Sequence, residues 1–457
     1  MAPHARTTVR EPAREVPVAE SCDLCVLGGS TTGVFAAVAA ARRGAKVALV
    51  EALGCFGGTA TSSLVLVWHA VFDTAWKTQI AAGLPLELID RLKRRNAVIE
   101  RTHSPNWQFA FNPAEMAIDL DGMVLDAGVR PFLHARFAAP VMDEARRMTH
   151  AVIEDKSGRR AIEARVFIDA TGDADVAHRM GLECYTQPHL QPPTTTALIQ
   201  GLDTLKDLDP GFNLRRDAFD PKFPEALPPG FLWDAPLPGT RDLRMVAGTR
   251  VHGADCSDAD DLTRAEVEGR RQVRAICDLV RNHAEGGRAC ALVGLPARIG
   301  IRQSRQVRCL HRLTEREVLH GARFEDAIAN GSYRVDVHSD RGGGIVLRYL
   351  DGTETLVMPG GREQRRWRDP VERDPTFYQI PYRSLVPRGA ANVLVAGRCL
   401  DADEGAFGAL RVMINCSQTG EAAGTAAWLA LDSDRDVADV DTEALRRSLR
   451  ERGAIVL

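Results

Sequence analysis

The stretch from residue 22 to residue 51 constrains the fold of this chain more than any other. CDLCVL is a short apolar strand, GGSTTG is a turn, VFAAVAAARRG is an alanine-rich helix that ends before Ala45, and AKVALVE is a second strand. A strand, a turn, a helix and a strand within about 30 residues predict a βαβ unit with two parallel, buried strands. We therefore expect an α/β fold.

The turn of this unit carries most of a dinucleotide-binding fingerprint. The pattern G-x-G-x-x-G would place glycine at 28, 30 and 33, and here the middle position is Ser30. Gly28 allows the tight turn, Gly33 lets the helix pack on the strand, and a small serine still lets backbone N–H groups approach a pyrophosphate. Glu51 ends the second strand 18 residues after Gly33, where a carboxylate can accept hydrogen bonds from ribose hydroxyls. An ordinary βα turn before a strand-ending glutamate is the alternative, but the common register of glycines, helix and acid favours a dinucleotide site.

The composition bounds the class of protein. A length of 457 residues predicts two domains or one large composite domain. A net charge of −3 argues against a general nucleic-acid or membrane-surface binder, and no run approaches about 18 apolar residues, so no membrane span is expected. The first 20 residues predict a disordered tail rather than a signal peptide, and the ten scattered cysteines fit free thiols. Together these features predict a cytoplasmic protein.

Two further strand ends indicate which dinucleotide is bound. VFIDATGD at 166–173 is an apolar strand closed by small residues, and NVLVAG at 392–397 is another. The carboxyl ends of parallel strands meet at one edge of a sheet, where open α/β proteins bind their ligands. An NAD site would normally be completed within one contiguous segment. A site assembled from both ends of the chain indicates FAD.

The remaining pattern divides the chain into parts. Helices are predicted at 84–95, from Asn112-Pro113 to Gly128, from Asp261 to about Glu285, and from about Arg411 to Ala430. A small β-meander is predicted at 136–169, and the Pro-, Gly- and Asp-rich stretch 186–260 predicts an irregular excursion. We expect a disordered tail at 1–20, the first part of the FAD-binding domain at 21–185, a substrate or cap domain at 186–379, and the last part of the FAD-binding domain at 380–457.

Several segments resemble a known family. They are VLGGSTTGVFAAVAAARRG, GCFGGTATSSLVLVWHAVFDT, VFIDATGDADVAHRMG, IGIRQSRQV, and IPYRSLVP followed by NVLVAGRCLDADEGAFGALRVMINCSQTGEAAGTAA. With them the chain resembles the FAD-dependent oxidoreductase family of the glutathione-reductase-like superfamily, which is loosely related to fumarate reductase flavoproteins and to the tRNA-modifying GidA proteins. The resemblance implies non-covalent FAD, redox chemistry at the flavin, and an α/β fold in which a Rossmann-like FAD-binding domain of the glutathione reductase type is interrupted by a mixed α+β substrate domain.

The resemblance and the fingerprint together predict which residues contact the cofactor. The small residues of the helix after Arg411, such as Gly420 and Gly424, are expected to let that helix pack tightly beneath the cofactor. The complete set of predicted cofactor-binding residues is Gly28, Ser30, Thr31, Thr32, Gly33, Glu51, Gly57, Gly58, Thr59, Ala170, Thr171, Gly172, Gly397, Arg398, Gly408 and Arg411.

Three residues are candidates for the substrate chemistry. His69 follows the GGTATSS segment and could act as a base, although a structural hydrogen bond is its alternative role. Arg302 could hold a substrate carboxylate with its two-pronged guanidinium, or form an ion pair between domains. Tyr382 lies near the domain junction by the resemblance and could donate or accept a proton. The twelve histidines show no spacing such as H-E-x-x-H, so no metal site is expected.

These residues predict an oxidoreductase that removes two electrons from a small organic substrate, with hydride transfer to flavin N5. A flavin monooxygenase is the alternative within the same class, although its sequence motifs are not clean here. A non-redox FAD-binding or RNA-modification partner protein is the alternative from a different class. Such a protein is expected to carry a basic surface. We expect a small-molecule substrate and neither a nucleic acid nor a membrane as partner, and homo-oligomerisation stays open.

Overall fold

The architecture is built on a five-stranded parallel sheet, which we call the central sheet. The computed structural model describes residues 8–104, 107–338, 344–358 and 361–457. The strands of the central sheet lie in the order Val393–Val395, Val166–Asp169, Leu24–Leu27, Val47–Val50 and Arg130–Phe132, and every pair is parallel. The first four strands are buried along their whole length, as expected of strands covered on both faces. The predicted α/β fold with a Rossmann-like sheet is confirmed.

Two helices pack against each other over this sheet with their backbones in contact. They are Thr31–Ala41, which follows the first βα turn, and Met413–Ser433, which we call the long C-terminal helix. A Cβ atom on Gly420 would lie 2.1 Å from the Thr32 carbonyl oxygen, and one on Gly424 would lie 2.0 Å from the Ala36 carbonyl oxygen. These distances leave no space for a side chain at either position. The small residues that the sequence places here therefore set the separation of the two helices.

The predicted meander is an antiparallel sheet that gains a fourth strand from the N-terminal segment. Its strands are Arg136–Met142, Met148–Asp155 and Gly158–Glu163, while the last residues of the predicted span, Val166–Asp169, belong to the central sheet. Val18–Ser21 pairs in parallel with Gly158–Glu163.

The prediction of a disordered tail at 1–20 is therefore wrong at its C-terminal end. Residues 1–7 lie outside the described residues, and residues 8–17 have no regular secondary structure. Backbone hydrogen bonds tie down the end of the segment: Ala161 N–H donates to the Pro17 carbonyl at 2.9 Å, and Cys22 N–H donates to the Glu163 carbonyl at 3.0 Å.

Three predicted helices are observed close to their expected bounds, at Leu84–Arg94, Pro113–Asp126 and Ala259–His283. Asn112 caps the second, since its side chain accepts hydrogen bonds from Ala114 N–H at 3.0 Å and Glu115 N–H at 3.4 Å. Asp258 caps the third in the same way, so that helix begins slightly before the predicted Asp261.

The stretch 186–260 is not an irregular excursion. It supplies three strands of a four-stranded antiparallel sheet in the order Trp233–Pro236, Leu243–Ala247, Thr196–Gln200 and Ala291–Gly294. The helix Ala259–His283 shares a hydrophobic cluster with this sheet. A second antiparallel sheet follows, with strands Val335–His338, Ile345–Arg348, Thr353–Met358 and Gly361–Arg366. The strand Tyr378–Pro381 spans the expected boundary at 379/380 and pairs with Ala327–Gly331.

The other regular elements are short. Val67–Trp68, Phe109–Phe111 and Val98–Glu100 form a three-stranded sheet, and Cys184–Tyr185 pairs with Gln306–Val307. The further α-helices are Asp175–Arg179, Leu202–Leu208, Leu214–Asp217, Glu315–Leu319, Glu404–Leu410 and Thr442–Glu451. The 3₁₀ turns are Gly58–Ala60, Gly287–Ala289, Tyr382–Leu385, Gly397–Cys399 and Val437–Asp439. Within the described ranges, no helix is both long and apolar enough to cross a bilayer.

Candidate functional site

A cleft of about 770 Å³ runs along the carboxyl edge of the central sheet. Four strands of that sheet end at it, and the segments that leave them form its walls. Fourteen of the sixteen predicted cofactor-binding residues line this cleft, and Gly33 and Gly408 lie behind its walls. The lining residues outside the predicted set are Leu53, Ser62, Ser63, Arg298, Ile299, Ile301, Ala396, Met413 and Cys416.

Glycines of the first βα turn let the backbone at the cleft floor pack closely on its neighbours. Gly28 has a φ of +106°, and a Cβ atom there would lie 2.3 Å from the Ala170 carbonyl oxygen. A Cβ atom on Gly33 would lie 1.8 Å from the Gly28 carbonyl oxygen, so Gly33 holds the helix against the turn from behind. A Cβ atom on Gly58 would lie 2.7 Å from the Cβ atom of Ser30. The serine in the middle of the fingerprint is therefore accommodated because glycine stands opposite.

Glu51 closes one end of the cleft. One carboxylate oxygen accepts a hydrogen bond from Gly29 N–H at 2.7 Å, and the other accepts one from Leu53 N–H at 2.8 Å. Burial raises the pKa of this carboxyl, while the two backbone N–H groups oppose that rise. Glu51 therefore links the end of its own strand to the glycine turn of the neighbouring strand.

A buried ion-pair network forms another wall. Asp173 lies between Arg298, at 2.8 Å, and Arg398, at 3.2 Å, and accepts a hydrogen bond from the Ser304 hydroxyl at 2.6 Å. Burial opposes ionisation of Asp173, but Arg398, Arg298 and that hydroxyl bring the pKa of the carboxyl below its ordinary value. Arg398 Nη1 is buried and has no hydrogen-bond partner among the described residues. That donor fits an anionic group such as a phosphate.

The C-terminal segment completes the cleft and corrects one boundary. Arg411 ends the short helix Glu404–Leu410, and the long C-terminal helix begins at Met413 rather than at Arg411. Gly408 packs elsewhere, since a Cβ atom there would lie 2.7 Å from the Asp336 carbonyl oxygen. Gly397 N–H donates to the Thr419 hydroxyl at 3.1 Å, which fixes the 396–398 turn to the long helix.

The donors of this cleft match a dinucleotide. Backbone N–H groups at a glycine turn and arginine side chains suit a pyrophosphate, and a carboxylate at the end of the second strand suits a ribose. A model of the family described as FAD dependent oxidoreductase matches residues 23–449. The chain belongs to this family. This FAD-dependent oxidoreductase is thus an enzyme whose cofactor is FAD, and the glycine-lined cleft fits that cofactor.

Solved structures of other proteins are similar over most of the chain at low identity. A geranylgeranyl bacteriochlorophyll reductase-like protein of Thermoplasma acidophilum is 12% identical, with 95% of this chain and 84% of that chain covered and a TM-score of 0.48. A p-nitrophenol 4-monooxygenase of Pseudomonas putida is 12% identical, with 95% and 85% covered and a TM-score of 0.46. A flavin-dependent brominase is 10% identical, with 94% and 83% covered and a TM-score of 0.41. No curated protein sequence matches the chain.

The structure separates the three residues predicted for substrate chemistry. Tyr382 is buried, and its hydroxyl donates to the Val437 carbonyl at 2.6 Å, which is a structural contact behind the cleft wall. The His69 ring contacts Tyr333 with the ring centres 4.1 Å apart and the ring planes tilted by 54°. Arg302 follows the lining residue Ile301 and donates to the Pro192 carbonyl.

A chain of polar groups connects His69 with the cleft. The Tyr333 hydroxyl donates to Asp336 at 2.8 Å, and Asp336 lies 3.7 Å from Arg411, which lines the cleft. His69 is partly buried, and its buried Nδ1 has no hydrogen-bond partner among the described residues. Burial, Arg334 and Arg411 lower the pKa of His69 to about 3, so the imidazole is neutral at physiological pH.

Tyr333, Asp336 and Arg298 are not among the site residues that the sequence predicts. No spacing pattern singles out the first two: Asp336 lies within the short strand Val335–His338, and Tyr333 lies two residues before it. Arg298 had a usable signal, since it directly precedes the IGIRQSRQV segment that carries part of the family resemblance. All ten cysteines are free thiols. Within the described part of the chain, no group of three His, Cys, Asp or Glu side chains is placed to hold a metal ion.

Proposed function

We propose that this FAD-dependent oxidoreductase oxidises a small organic molecule by two electrons, and that the substrate binds between His69 and the Arg411 end of the cleft. The observation that supports this most is the polar chain His69–Tyr333–Asp336–Arg411, which joins a neutral, unpartnered histidine to the cofactor cleft. FAD, when bound, supplies the acceptor for two electrons.

The cofactor-binding roles follow from the shape of the cleft. Backbone N–H groups at the N-terminus of the helix Thr31–Ala41 bind the pyrophosphate, since the N–H groups of Gly28 and Gly29 already donate to Val50 and Glu51. Arg398 donates from the opposite wall. Glu51 binds the adenosine ribose. The glycines at 57 and 58 let the chain pass close to the ring system without a side chain in the way. The first turn of the long C-terminal helix lies at the other end of the cleft, through Met413 and Cys416.

His69 accepts the proton that leaves the substrate when an alcohol or an amine is oxidised. Burial keeps this imidazole unprotonated before the reaction, but a pKa of about 3 also makes it a weak proton acceptor until an anion bound nearby raises that pKa. Tyr333 contacts the ring at a tilt, and Asp336 in turn holds Tyr333 through its hydroxyl. Arg302 contacts the substrate, and Tyr382 has a structural role because its hydroxyl is already engaged.

The purified protein tests this proposal. It should be yellow with a flavin spectrum, and a substrate added without oxygen should bleach that spectrum with no nicotinamide nucleotide present. His69→Gln should lower the bleaching rate about 100-fold or more, as expected for a general base, without changing FAD affinity. Tyr382→Phe is the matched control and should bleach at the wild-type rate. Equal rates in His69→Gln and wild type would refute the role of His69.

The same experiment separates monooxygenation from dehydrogenation. A monooxygenase needs NAD(P)H to bleach its flavin, and its substrate then gains an oxygen atom when air is admitted. Bleaching that depends on NAD(P)H and not on the organic substrate would therefore replace our proposal with the monooxygenase alternative.

A further inference from the structure

Three guanidinium side chains lie close enough to repel one another, and among the described residues little negative charge balances them. We call Arg250, Arg302 and Arg411 the arginine cluster. Arg250 Nε donates to His338 Nδ1 at 3.4 Å, and His338 Nε2 lies 3.3 Å from Asp336. Asp336 also lies 3.7 Å from Arg411. Among the described residues, Asp336 is therefore the one carboxylate in contact with the cluster.

Two members of the cluster have only neutral partners. Arg302 donates to the Pro192 carbonyl, and Arg250 Nη1 donates to the Phe231 carbonyl at 2.7 Å. Among the residues that the structure describes, neither arginine forms an ion pair with a carboxylate. Burial also lowers the pKa of His338, so the histidine between them is neutral. Buried guanidinium groups without a counter-ion are costly, unless an anion arrives from outside the chain.

The neighbouring amides also lack acceptors. Gln191 is 1% exposed, and its oxygen is used by Arg411 Nη2 at 3.1 Å and by His338 N–H at 3.4 Å. Gln303 is 1% exposed, and its oxygen accepts from Gln191 N–H at 3.1 Å. The Nε2 groups of both glutamines, together with Arg411 Nε, are buried donors that have no partner in the described part of the chain. These three donors therefore lack an acceptor, while Asp336 Oδ1 is a buried acceptor that also has no hydrogen-bond partner among the described residues.

We propose that the arginine cluster is the subsite for a carboxylate group of the substrate, so that the enzyme oxidises a small organic acid. This rests on the proposed function and adds the substrate class to it. A planar guanidinium binds a carboxylate through two parallel hydrogen bonds, and the glutamine amides satisfy the remaining lone pairs. A carboxylate held there reaches the cleft through Arg411, which is the member of the cluster that also interacts with His69.

Charge interactions within the cluster support the assignment. Burial, Arg250 and Arg411 lower the pKa of Arg302 to about 9, and burial lowers the pKa of Arg250 to about 10. Both groups are still charged at neutral pH. A bound anion removes the repulsion between them, and it also favours the protonated form of His69, which is the form that proton transfer produces.

The test uses the FAD-loaded enzyme and small probes. Benzoate and acetate are titrated against benzamide and acetamide, with inorganic phosphate as the second anion, and binding is followed by calorimetry and by the flavin absorbance. We expect the carboxylates to bind at least about tenfold more tightly than the amides, since hydrogen bonds to charged groups are the stronger ones. Phosphate should bind no more tightly than the carboxylates. Arg302→Gln and Arg250→Gln should each weaken benzoate at least about tenfold.

Controls keep the result interpretable. Arg274→Gln removes the same charge from the exposed face of the Ala259–His283 helix and should bind benzoate like wild type. Arg302→Lys keeps the positive charge but lacks the two parallel donors of the guanidinium, so it should bind benzoate more tightly than Arg302→Gln and more weakly than wild type. That intermediate affinity would show that Arg302→Gln loses binding through the side chain and not through misfolding. Equal benzoate affinity in wild type and Arg302→Gln, absence of carboxylate binding to the wild type, or a preference for phosphate would each overturn the assignment.

The carboxylate subsite and the proposed redox function can be refuted independently of each other. Carboxylate binding that depends on Arg302, in an enzyme that no substrate bleaches, would keep the subsite and refute the redox proposal. Bleaching by neutral compounds, without any carboxylate binding, would keep the redox proposal and refute the subsite.

Discussion

The contact between the helix Thr31–Ala41 and the long C-terminal helix can be tested with one methyl group. A Cβ atom on Gly424 would lie 2.0 Å from the Ala36 carbonyl oxygen, about 1.4 Å short of ordinary contact at 3.4 Å. Gly424→Ala must therefore push the helices apart at that point. Overpacking of this kind costs about 1–3 kcal/mol, and the better helix propensity of alanine returns up to about 1 kcal/mol. With the full return from helix propensity, we expect a net loss of about 0–2 kcal/mol in the free energy of unfolding.

Gly122→Ala is the matched control for this experiment. Gly122 also lies inside a helix, Pro113–Asp126, but the nearest atom to its added Cβ is Arg91 Nη1 at 3.6 Å. It should therefore gain up to about 1 kcal/mol. Urea unfolding of the two apo variants measures both changes, and FAD titration of the folded proteins should show weaker binding in Gly424→Ala alone, since the displaced helix carries Met413 and Cys416. A Gly424→Ala protein as stable as Gly122→Ala would refute the backbone contact.

Two further changes test buried carboxyls. Burial raises the pKa of Glu421 to about 7 from an ordinary value of 4.5. The folded protein then holds a proton that the unfolded chain releases, so we expect the free energy of unfolding to fall by about 3 kcal/mol as the pH rises from 4.5 to 7, and Glu421→Gln to remove that slope in urea unfolding. Asp173→Asn leaves Arg298 and Arg398 buried without their counter-ion, which should destabilise the protein by about 3–5 kcal/mol. Because the folded-state pKa of Asp173 is lowered, its contribution is present above 3.8 and is lost as the pH falls below that value, so acid unfolding should be less steep in Asp173→Asn.

For each of these two substitutions, one result would contradict the prediction. A pH slope in Glu421→Gln equal to that of wild type would show that another group titrates between pH 4.5 and 7. Wild-type stability in Asp173→Asn at neutral pH would show that Arg298 and Arg398 find solvent or another partner once the carboxylate is gone.

The parts of the fold that the sequence predicts are those with a short-range physical signature. The first βα turn is predictable because Gly28 and Gly33 must have no side chain for the turn to meet the next strand and the helix. The helix beginning at Pro113 is predictable because Asn112 supplies its cap. The close packing of the long C-terminal helix is predictable for the same reason. Gly420 and Gly424 are four residues apart, so their missing side chains lie on the same face of the helix.

The parts that the sequence did not predict depend on contacts between distant segments. The strands within 196–247 are separated by Pro- and Gly-rich turns, and their alternation is too short to stand out before Ala291–Gly294 closes the sheet. The sequence places Tyr382 in a motif but does not determine the direction of its hydroxyl. In the structure that hydroxyl donates a hydrogen bond to the Val437 carbonyl. Tyr333 and Asp336 are more than 260 residues from His69 in the sequence, so no local spacing pattern predicts that they lie near it in the fold.

The order of strands in the central sheet also has a consequence for biosynthesis. Val166–Asp169 is paired on one side by Leu24–Leu27, made long before it, and on the other by Val393–Val395, made about 220 residues later. At about 5–20 residues per second, a ribosome leaves that apolar edge open for roughly 10–45 s. An open hydrophobic strand edge is a template for pairing with other chains. A nascent chain of this protein therefore passes through an aggregation-prone interval that ends only when its C-terminal strand emerges, and a fragment that stops before residue 393 never leaves it.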